Sequence, residues 1–247
     1  MDRLIYVAMT GASQTLGQQA TVAHNLANAG TTGYRAEFNV FRAVPIIGPA
    51  APTRAFVVNS TVGANFEPGP IQQTGRDLDV AVQGRGWIAV QLPNGGEAYT
   101  RNGNLQINAN GLLQTREGLN VQGEGGPISI PPDTSITIAK DGTVSTVPGG
   151  TKPTAVVNVG RIKLVDPPEA QLTKGSDGLF RLRGGGEAPA DPGVTLIDGA
   201  LEGSNVNVVE SLVTMIALAR QFDMQMKMLQ SADANARQAS QIMNINQ

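Results

Sequence analysis

The N-terminal segment is amphipathic but carries no charge, since there is no Lys, Arg, Asp or Glu between Leu4 and Tyr34. Its apolar and small residues recur at the steps of four and three that mark one face of a helix: Ile5, Met9, Ala12, Leu16, Ala23 and Leu26. Gln19 occupies the position between Leu16 and Ala23. A helix in water normally carries charged residues on its outer face. We therefore expect a helix over residues 2–29 that protein covers on every side.

The C-terminal segment has the same spacing. Asn207 and Glu210 are three residues apart, as in the capping box at the start of a helix. The stripe that follows consists of Val208, Leu212, Met215, Ala219, Phe222, Met226 and Leu229. Both stripes have the heptad spacing of coiled coils. The spacing leaves two arrangements open: a self-contained two-helix hairpin, or packing against neighbouring subunits.

Between these segments the period of the apolar residues changes from that of a helix to that of a strand. Short alternating runs predict strands at Leu78/Val80/Val82, Ile88/Val90/Leu92, Leu105/Ile107, Ile136/Ile138, Ile162/Leu164 and Phe180/Leu182. Turn-forming pairs punctuate the same region: Asn94-Gly95, Asn102-Gly103, Asn110-Gly111, Asp141-Gly142, Asp177-Gly178 and Asp198-Gly199. The predicted fold class is α+β, with the terminal helices pairing as a coiled coil around a central all-β module.

The domain organisation follows from these changes in pattern. Residues 1–34 are expected to form the first helix and the turn after it, and residues 204–247 the last helix. The β-module is placed at residues 77–203. Prolines are frequent between residues 35 and 76, which indicates an extended, weakly structured connector.

Composition excludes several kinds of function. There is no cysteine and only one histidine, His24, so thiolate chemistry and the common zinc sites are not expected. The net charge of −2 comes without a basic run, which argues against a nucleic-acid partner. No apolar stretch approaches the ~20 residues of a membrane span, and the short apolar run at Leu4–Met9 does not predict a cleaved signal peptide. We expect no cofactor, no metal and no enzymatic activity.

One different class of function remains as an alternative. Trp87 and Tyr99 could stack on a sugar, and Asp77 and Asp79 lie two apart, so that in a strand they would share a face as an acid–base pair. A cell-wall glycan-binding or glycan-hydrolysing β-domain would use such residues. This hypothesis leaves both helical stripes unexplained.

Three motifs resemble the signatures of the flagellar rod and hook proteins. Residues 25–35 read Asn-Leu-Ala-Asn-Ala-Gly-Thr-Thr-Gly-Tyr-Arg, in which the asparagines can cap the helix and Gly33 permits a left-handed turn. Residues 201–207 read Leu-Glu-Gly-Ser-Asn-Val-Asn. Residues 78–87 and 99–103 resemble the strand region that these proteins share. The motifs occur in the family's order and span nearly the whole chain.

The resemblance implies a structural subunit of the bacterial flagellar basal body. The length is most similar to that of the proximal rod proteins, with a distal rod or hook subunit as the alternative within the family. The resemblance further implies export by the flagellar type III apparatus without a cleaved signal, and a place in the periplasmic rod beside other rod proteins. The terminal helices would form the tube that transmits torque and surrounds the export channel. The candidate subunit-interface residues are the two helical stripes together with Asn25, Asn28, Gly33 and Tyr34.

Overall fold

The computed structural model describes residues 2–45, 55–132, 134–148 and 156–244. Two helices flank a β-rich middle, which confirms the α+β fold class. The chain divides into two compact units. One, the terminal unit, contains both helices and residues 36–65. The other, the β-unit, contains residues 66–205 and the short segment 29–35 that follows the first helix.

The terminal unit consists of two helices and a hairpin: α1 (Asp2–Ala27), β1 (Glu37–Pro45), β2 (Ala55–Ala64) and α2 (Val208–Asn244). Asn207 caps α2 as predicted, because its side-chain oxygen accepts a hydrogen bond of 3.2 Å from the backbone N–H of Glu210. The helices pack against each other. At one contact the hydroxyl of Thr15 donates to the side-chain oxygen of Gln225 at 3.3 Å. A Cβ at Gly11 would lie 3.1 Å from Nε2 of Gln225, so only a small residue fits there comfortably.

The predicted connector is more ordered than expected. Strands β1 and β2 pair antiparallel over their whole length, with a register shift between Val40 and Phe41. Residues 46–54 of that predicted connector lie outside the described residues. The correction has a simple physical cause: Pro45 stands at a strand end, where a missing N–H removes no ladder hydrogen bond. Pro45 therefore ends β1 rather than preventing the hairpin.

The β-unit contains the remaining strands and one 3-10 turn at Glu169–Gln171. The strands are β3 (Ile71–Gln73), β4 (Val80–Gln83), β5 (Trp87–Gln91), β6 (Glu97–Thr100), β7 (Leu105–Ile107), β8 (Leu113–Thr115), β9 (Asn120–Gly123), β10 (Gly126–Pro127), β11 (Thr134–Ile138), β12 (Thr143–Pro148), β13 (Val157–Arg161), β14 (Leu164–Val165), β15 (Leu172–Lys174), β16 (Phe180–Leu182), β17 (Thr195–Asp198) and β18 (Ala200–Glu202). Every predicted alternating run overlaps one of them.

These strands form one large sheet and several small ones. The large sheet has nine strands, and its main path runs β15-β16-β6-β5-β9-β8-β7. Strands β11, β12 and β13 form a three-stranded sheet, while β17 pairs with β4 and β18 pairs with β3. A single cluster of buried aliphatic side chains joins strands of three of these sheets, among them Val82, Ile88, Leu113, Val144 and Leu196. The described pairings in this unit are antiparallel, as short turns between strands require.

The predicted turn glycines have the expected backbone with one exception. Gly95, Gly111 and Gly142 have φ between 78° and 85°, in the left-handed region that favours glycine. The prediction was wrong at Asn102-Gly103, because Gly103 is not among the glycines of positive φ. A Cβ at Gly103 would overlap the carbonyl oxygen of Val80. This glycine permits close backbone approach rather than a hairpin turn.

Neither helix, over the residues that the structure describes, is long and apolar enough to cross a membrane.

Candidate functional site

The three signature motifs meet inside the β-unit, where they contribute oppositely charged side chains. Arg35 comes from the first motif, Arg101 from the strand region and Glu202 from the C-terminal motif. Nη1 of Arg35 lies 2.7 Å from Oε1 of Glu202, and Nη1 of Arg101 lies 2.9 Å from Oε2 of the same carboxylate. The ring of Trp87 faces both guanidinium groups, at 5.9 Å from Arg35 and 5.2 Å from Arg101. We call these four residues the arginine cluster.

All the charged groups of the cluster are buried: the side chains of Arg35, Glu202 and Arg101 are 0%, 1% and 3% exposed. Because a buried charge must be paired, the single carboxylate of Glu202 is the counter-ion of two cations. Burial lowers the pKa of Arg101, while the charge of Glu202 acts in the opposite direction. Removing the carboxylate would leave two cations buried without a counter-ion.

Arg101 has further acceptors within the sheet. Its Nη2 donates to the carbonyl oxygen of Gly84 at 2.7 Å, and its Nη1 to that of Val82 at 3.4 Å. Arg35 differs. In the described part of the chain, no acceptor is in hydrogen-bonding geometry with its Nε, Nη1 or Nη2, so its contact with Glu202 is an ion pair at 2.7 Å rather than an aligned hydrogen bond. Glu202 and the face of Trp87 are therefore what hold the Arg35 guanidinium in place.

The backbone around Arg35 is held by contacts on both sides. The N–H of Gly33 donates to the carbonyl oxygen of Glu202 at 2.7 Å, and the N–H of Asn205 donates to that of Tyr34 at 3.3 Å. Nζ of Lys174 donates to the carbonyl oxygen of Arg35 at 2.8 Å. The same ammonium lies 3.8 Å from the centre of the Tyr34 ring, as a cation–π contact. The chain entering the β-unit is thus fixed to the chain leaving it.

Gly33 confirms the predicted left-handed turn, with φ of +68°. Its Cα also lies against the peptide bond between Arg101 and Asn102, where an added Cβ would collide with both residues. Two independent constraints therefore require glycine here: backbone conformation and space.

The signature asparagines act in the terminal unit. Asn25 is buried, and its side-chain amide pairs with the backbone of Glu37: Nδ2 donates to the carbonyl oxygen at 2.7 Å, and Oδ1 accepts from the N–H at 2.8 Å. This arrangement imitates one rung of an antiparallel sheet and ties α1 to the start of β1. Nδ2 of Asn28 donates to the carbonyl oxygen of His24 at 2.9 Å, which satisfies one of the last carbonyls of α1 as predicted.

The candidate interface residues have different surroundings within the chain. Exposed members are Met9, Leu16, Ala23, Val208, Leu212, Ala219 and Met226; half-buried members are Ile5, Leu26, Asn28, Gly33, Met215, Phe222 and Leu229; buried members are Ala12, Asn25 and Tyr34. The exposed members have surface that the rest of the chain does not cover. The buried members stabilise the chain itself.

The face that α2 buries within the chain differs from the predicted stripe. Every second residue of the predicted stripe is replaced by the residue that precedes it in the chain, for example Ala219 by Leu218. The least exposed residues of α2 are Ser211, Met215, Leu218, Phe222, Gln225, Leu229 and Ala232. We call this set the inner stripe. It has heptad spacing and shares Met215, Phe222 and Leu229 with the prediction. Gln225 and Ser211 are polar, which is why the spacing of apolar residues alone did not select this face.

Opposite the inner stripe, α2 exposes a second apolar face. Val209, Val213 and Ile216 are 71%, 62% and 55% exposed and are spaced by four and three residues. At the turn angle of an α-helix this face lies about 180° from the inner stripe. On α1, the exposed residues Tyr6, Met9, Ser13, Leu16, Ala20, Ala23 and Ala27 are likewise spaced by three and four. We call these two sets the outer stripes.

The glycan hypothesis does not fit the structure. Trp87 and Tyr99 are buried, so neither ring is available for a sugar. Trp87 packs on the ring of Phe180 at 4.5 Å between centroids. Burial raises the pKa of Tyr99 well above its ordinary value, and its hydroxyl accepts a hydrogen bond of 2.8 Å from the N–H of Ala188.

The acid–base pair that the glycan alternative required is also absent from the described residues. Asp77 is exposed in a turn, whereas Asp79 is buried and lies 3.0 Å from Nη1 of Arg76. Asp79 also accepts a hydrogen bond of 2.8 Å from the hydroxyl of Thr74. The two carboxylates do not share a face because residues 77 and 78 form a turn rather than a strand. Asp79 fixes the turn instead of facing a substrate.

Arg35, Arg101 and Glu202 lie within the three motifs, but their role cannot be predicted from the motifs alone. A signal was present: Arg35 is the first charged residue after the uncharged stretch, and each of the other two lies among turn-forming residues. Lys174 lies outside the motifs, and no pattern in the sequence marks it. Its contact with Arg35 depends on the tertiary structure.

The fold and the site together define an α+β protein. The segments that enter and leave its β-unit meet in a buried ion cluster, and its helices leave apolar stripes exposed. Exposed stripes of this kind are typical of subunits that bury surface on assembly. Three family models match the chain: "Flagella basal body rod protein" over residues 5–35, "Flagellar hook protein FlgE/F/G D1 domain" over 81–146, and "Flagellar basal body rod FlgEFG protein C-terminal" over 197–242. The chain belongs to the flagellar basal-body rod protein family.

Similar proteins agree with the family models. The flagellar basal-body rod proteins FlgF of Salmonella typhimurium (strain LT2) and Escherichia coli (strain K12) are each 49% identical over 251 residues, covering 99% of this chain and 100% of their own length. A protein named flagellar basal-body rod protein FlgG, from Buchnera aphidicola subsp. Schizaphis graminum, is 29% identical and covers 96% of this chain and 98% of its own length. Arg35 lies in the first matched region and Glu202 in the third.

Proposed function

We propose that this chain is a structural subunit of the flagellar basal-body rod that assembles through its terminal helices. The observation that supports this most directly is the pair of outer stripes. The α1 set contains no charged residue, and the α2 set contains none from Val209 to Ile216, after which Arg220 follows at the next step; both sets remain exposed after the helices have packed within the chain. In a tube of subunits they would be buried, and burial of Val209, Val213 and Ile216 alone would contribute several kcal/mol, at about 1.5–3 kcal/mol for each side chain.

The position in the proximal rod is also proposed. Identity to the FlgF proteins of Salmonella typhimurium and Escherichia coli is 49%, against 29% for the FlgG relative, which favours a FlgF-like position. The neighbours would be other rod proteins. Export by the type III apparatus without a cleaved signal and residence in the periplasmic rod belong to the same proposal. The distal rod and the hook remain the alternatives within the family.

The division of labour between segments completes the proposal. Residues 1–34 and 204–247 would form the tube wall, with the helices pairing as a coiled coil through the inner stripe. Residues 77–203 would form the β-domain of the subunit. The proposed subunit interface comprises the exposed candidate residues, of which Met9, Leu16, Leu212 and Met226 are the largest. Torque would pass along the helical layer.

The first test places a charge on an outer stripe. Val213→Asp should leave the isolated chain folded, because Val213 is 62% exposed, but should abolish rod assembly by burying an unpaired carboxylate between subunits. The measurements are swimming of a deletion strain that carries the variant, and the presence of the chain in purified basal bodies. Helical circular dichroism of the purified variant checks the fold.

Gln221→Asp is the matched control, because it adds the same charge on an exposed position of α2 that lies off the outer stripe by about 120°. This variant should swim normally. Normal swimming of the Val213→Asp strain would contradict assembly through the outer stripe. If a labelled chain were located in the distal rod or the hook, the proposed proximal position would be contradicted, but assembly through the outer stripe would not.

A further inference from the structure

Residues 31–35 are part of the β-unit without being part of its sheets. They belong to no strand or helix, and the first strand after them begins at Glu37. The contacts described for this segment are the carbonyl and carboxylate of Glu202 at the end of β18, the ammonium of Lys174 and the N–H of Asn205, none of which is a ladder hydrogen bond to residues 31–35. The segment can therefore leave without breaking a sheet ladder.

The site that holds the segment is specific for its side chains. The ammonium of Lys174 covers the ring of Tyr34, while Glu202 pairs with the guanidinium of Arg35. Gly33 fits against the backbone of Arg101, where no side chain would fit. The site thus has a specific contact for each of three consecutive residues: Gly33, Tyr34 and Arg35.

Loss of the Glu202 charge would affect the guanidinium of Arg35 more than that of Arg101. Arg101 keeps two carbonyl acceptors, from Val82 and Gly84, when the carboxylate is lost. Arg35 keeps only the face of Trp87 and the like charge of Arg101 nearby. A guanidinium without its counter-ion is far more stable in water than in a buried site. Arg35 is therefore the group that leaves.

We propose that residues 31–35 are a docked segment, held in a receptor site of the β-unit whose anchor is Glu202, and that loss of the Glu202 charge releases the segment while the sheets remain folded. Glu202 is a positioning residue in this proposal. It fixes where the chain emerges from the β-unit. The proposal does not depend on what the chain assembles with.

Trypsin tests the proposal on the full-length chain, because it cleaves after arginine and the Arg35 side chain is fully buried. We expect the wild-type chain to be protected after Arg35 and to be cut after Arg116, which is exposed in a turn and serves as the internal reference. Glu202→Gln should increase the rate of cleavage after Arg35 at least tenfold relative to Arg116. The rates are measured by mass mapping of early digests.

Trp87 provides the readout that a merely unfolded variant would change. It is the only tryptophan and packs between Phe66 and Phe180, so its emission reports an intact β-unit. In Glu202→Gln the emission should stay clearly blue-shifted from that of the urea-unfolded chain, because Phe66 and Phe180 still cover the ring after Arg35 has left its face. Glu187→Gln is the matched control: it removes the same charge from a side chain that is 62% exposed, and it should leave the protection of Arg35 unchanged. Equal protection of Arg35 in wild type and Glu202→Gln would overturn the proposal.

If Glu202→Gln loses the buried emission, Lys174→Met provides the second test, because it removes the ammonium that contacts the Tyr34 ring and the carbonyl oxygen of Arg35 while Glu202 keeps its charge. We expect a several-fold increase in cleavage after Arg35 with the Trp87 emission unchanged. An unchanged cleavage rate in that variant would show that the segment is not independently docked and would overturn the proposal.

Discussion

Arg35 shows how a single residue can end an uncharged stretch and at once become fully buried. Its charge can be buried there because it pairs with the carboxylate of Glu202, which lies 167 residues later in the chain. The same carboxylate also pairs with Arg101, so one residue of the C-terminal motif fixes one residue from each of the other two. The three motifs therefore have a common physical purpose, namely to satisfy a buried charge.

Gly33 carries the first prediction at this scale. Gly33→Ala forces a side chain into the left-handed region and against the Arg101 backbone, so it should lower the free energy of unfolding of the β-unit by at least about 2 kcal/mol. Urea unfolding followed by Trp87 emission measures this. Gly30→Ala is the control, since nothing lies within 4 Å of a Cβ there and its φ is not positive. A loss no larger than that of the control would argue against both constraints on Gly33.

At the scale of elements, the two helices each have more than one face that a heptad count can select. In α2, the predicted stripe and the inner stripe share every second residue, and the choice between Leu218 and Ala219, or between Gln225 and Met226, depends on the partner helix. Small and polar residues on α1, such as Gly11 and Thr15, contact polar Gln225. Apolarity was therefore a poor guide to which face is inside.

Asn25 carries the prediction that belongs to the connection between α1 and β1. Asn25→Ala removes two hydrogen bonds and leaves the N–H and carbonyl of Glu37 without these partners, so we expect a loss of about 2 kcal/mol in the stability of the terminal unit. Thermal unfolding followed by helical circular dichroism measures it. Ser13→Ala, on the exposed face of α1, should change stability by less than about 0.5 kcal/mol. Equal stability of the two variants would contradict a structural role for this pair.

At the scale of the whole molecule, the chain crosses between its two units more than once. The first helix, the hairpin and the last helix form one unit, and the segments that enter and leave the β-unit meet at the arginine cluster within the other. Each unit has its own buried contacts. Units of this kind can open with different free energies.

The last prediction follows from this division. Urea unfolding monitored by Trp87 emission, which reports the β-unit, and by helical circular dichroism, which reports the terminal unit, should give two transitions with different midpoints. Asn25→Ala should move the helical transition and leave the Trp87 transition in place. Superimposable curves for wild type would mean that the two units unfold as one, against our expectation.

The sequence by itself determined the α+β class, the two helices, the cap at Asn207, most of the turns and the family, because these depend on local spacing and on motifs that are contiguous in the chain. Only the tertiary structure decided which helix faces are buried, that β1 and β2 pair, and that Trp87 and Asp79 are interior residues. It also decided that Arg35, Arg101 and Glu202 form one cluster. Burial and ion pairing depend on residues far apart in the chain, and no local pattern records which distant residue supplies the partner.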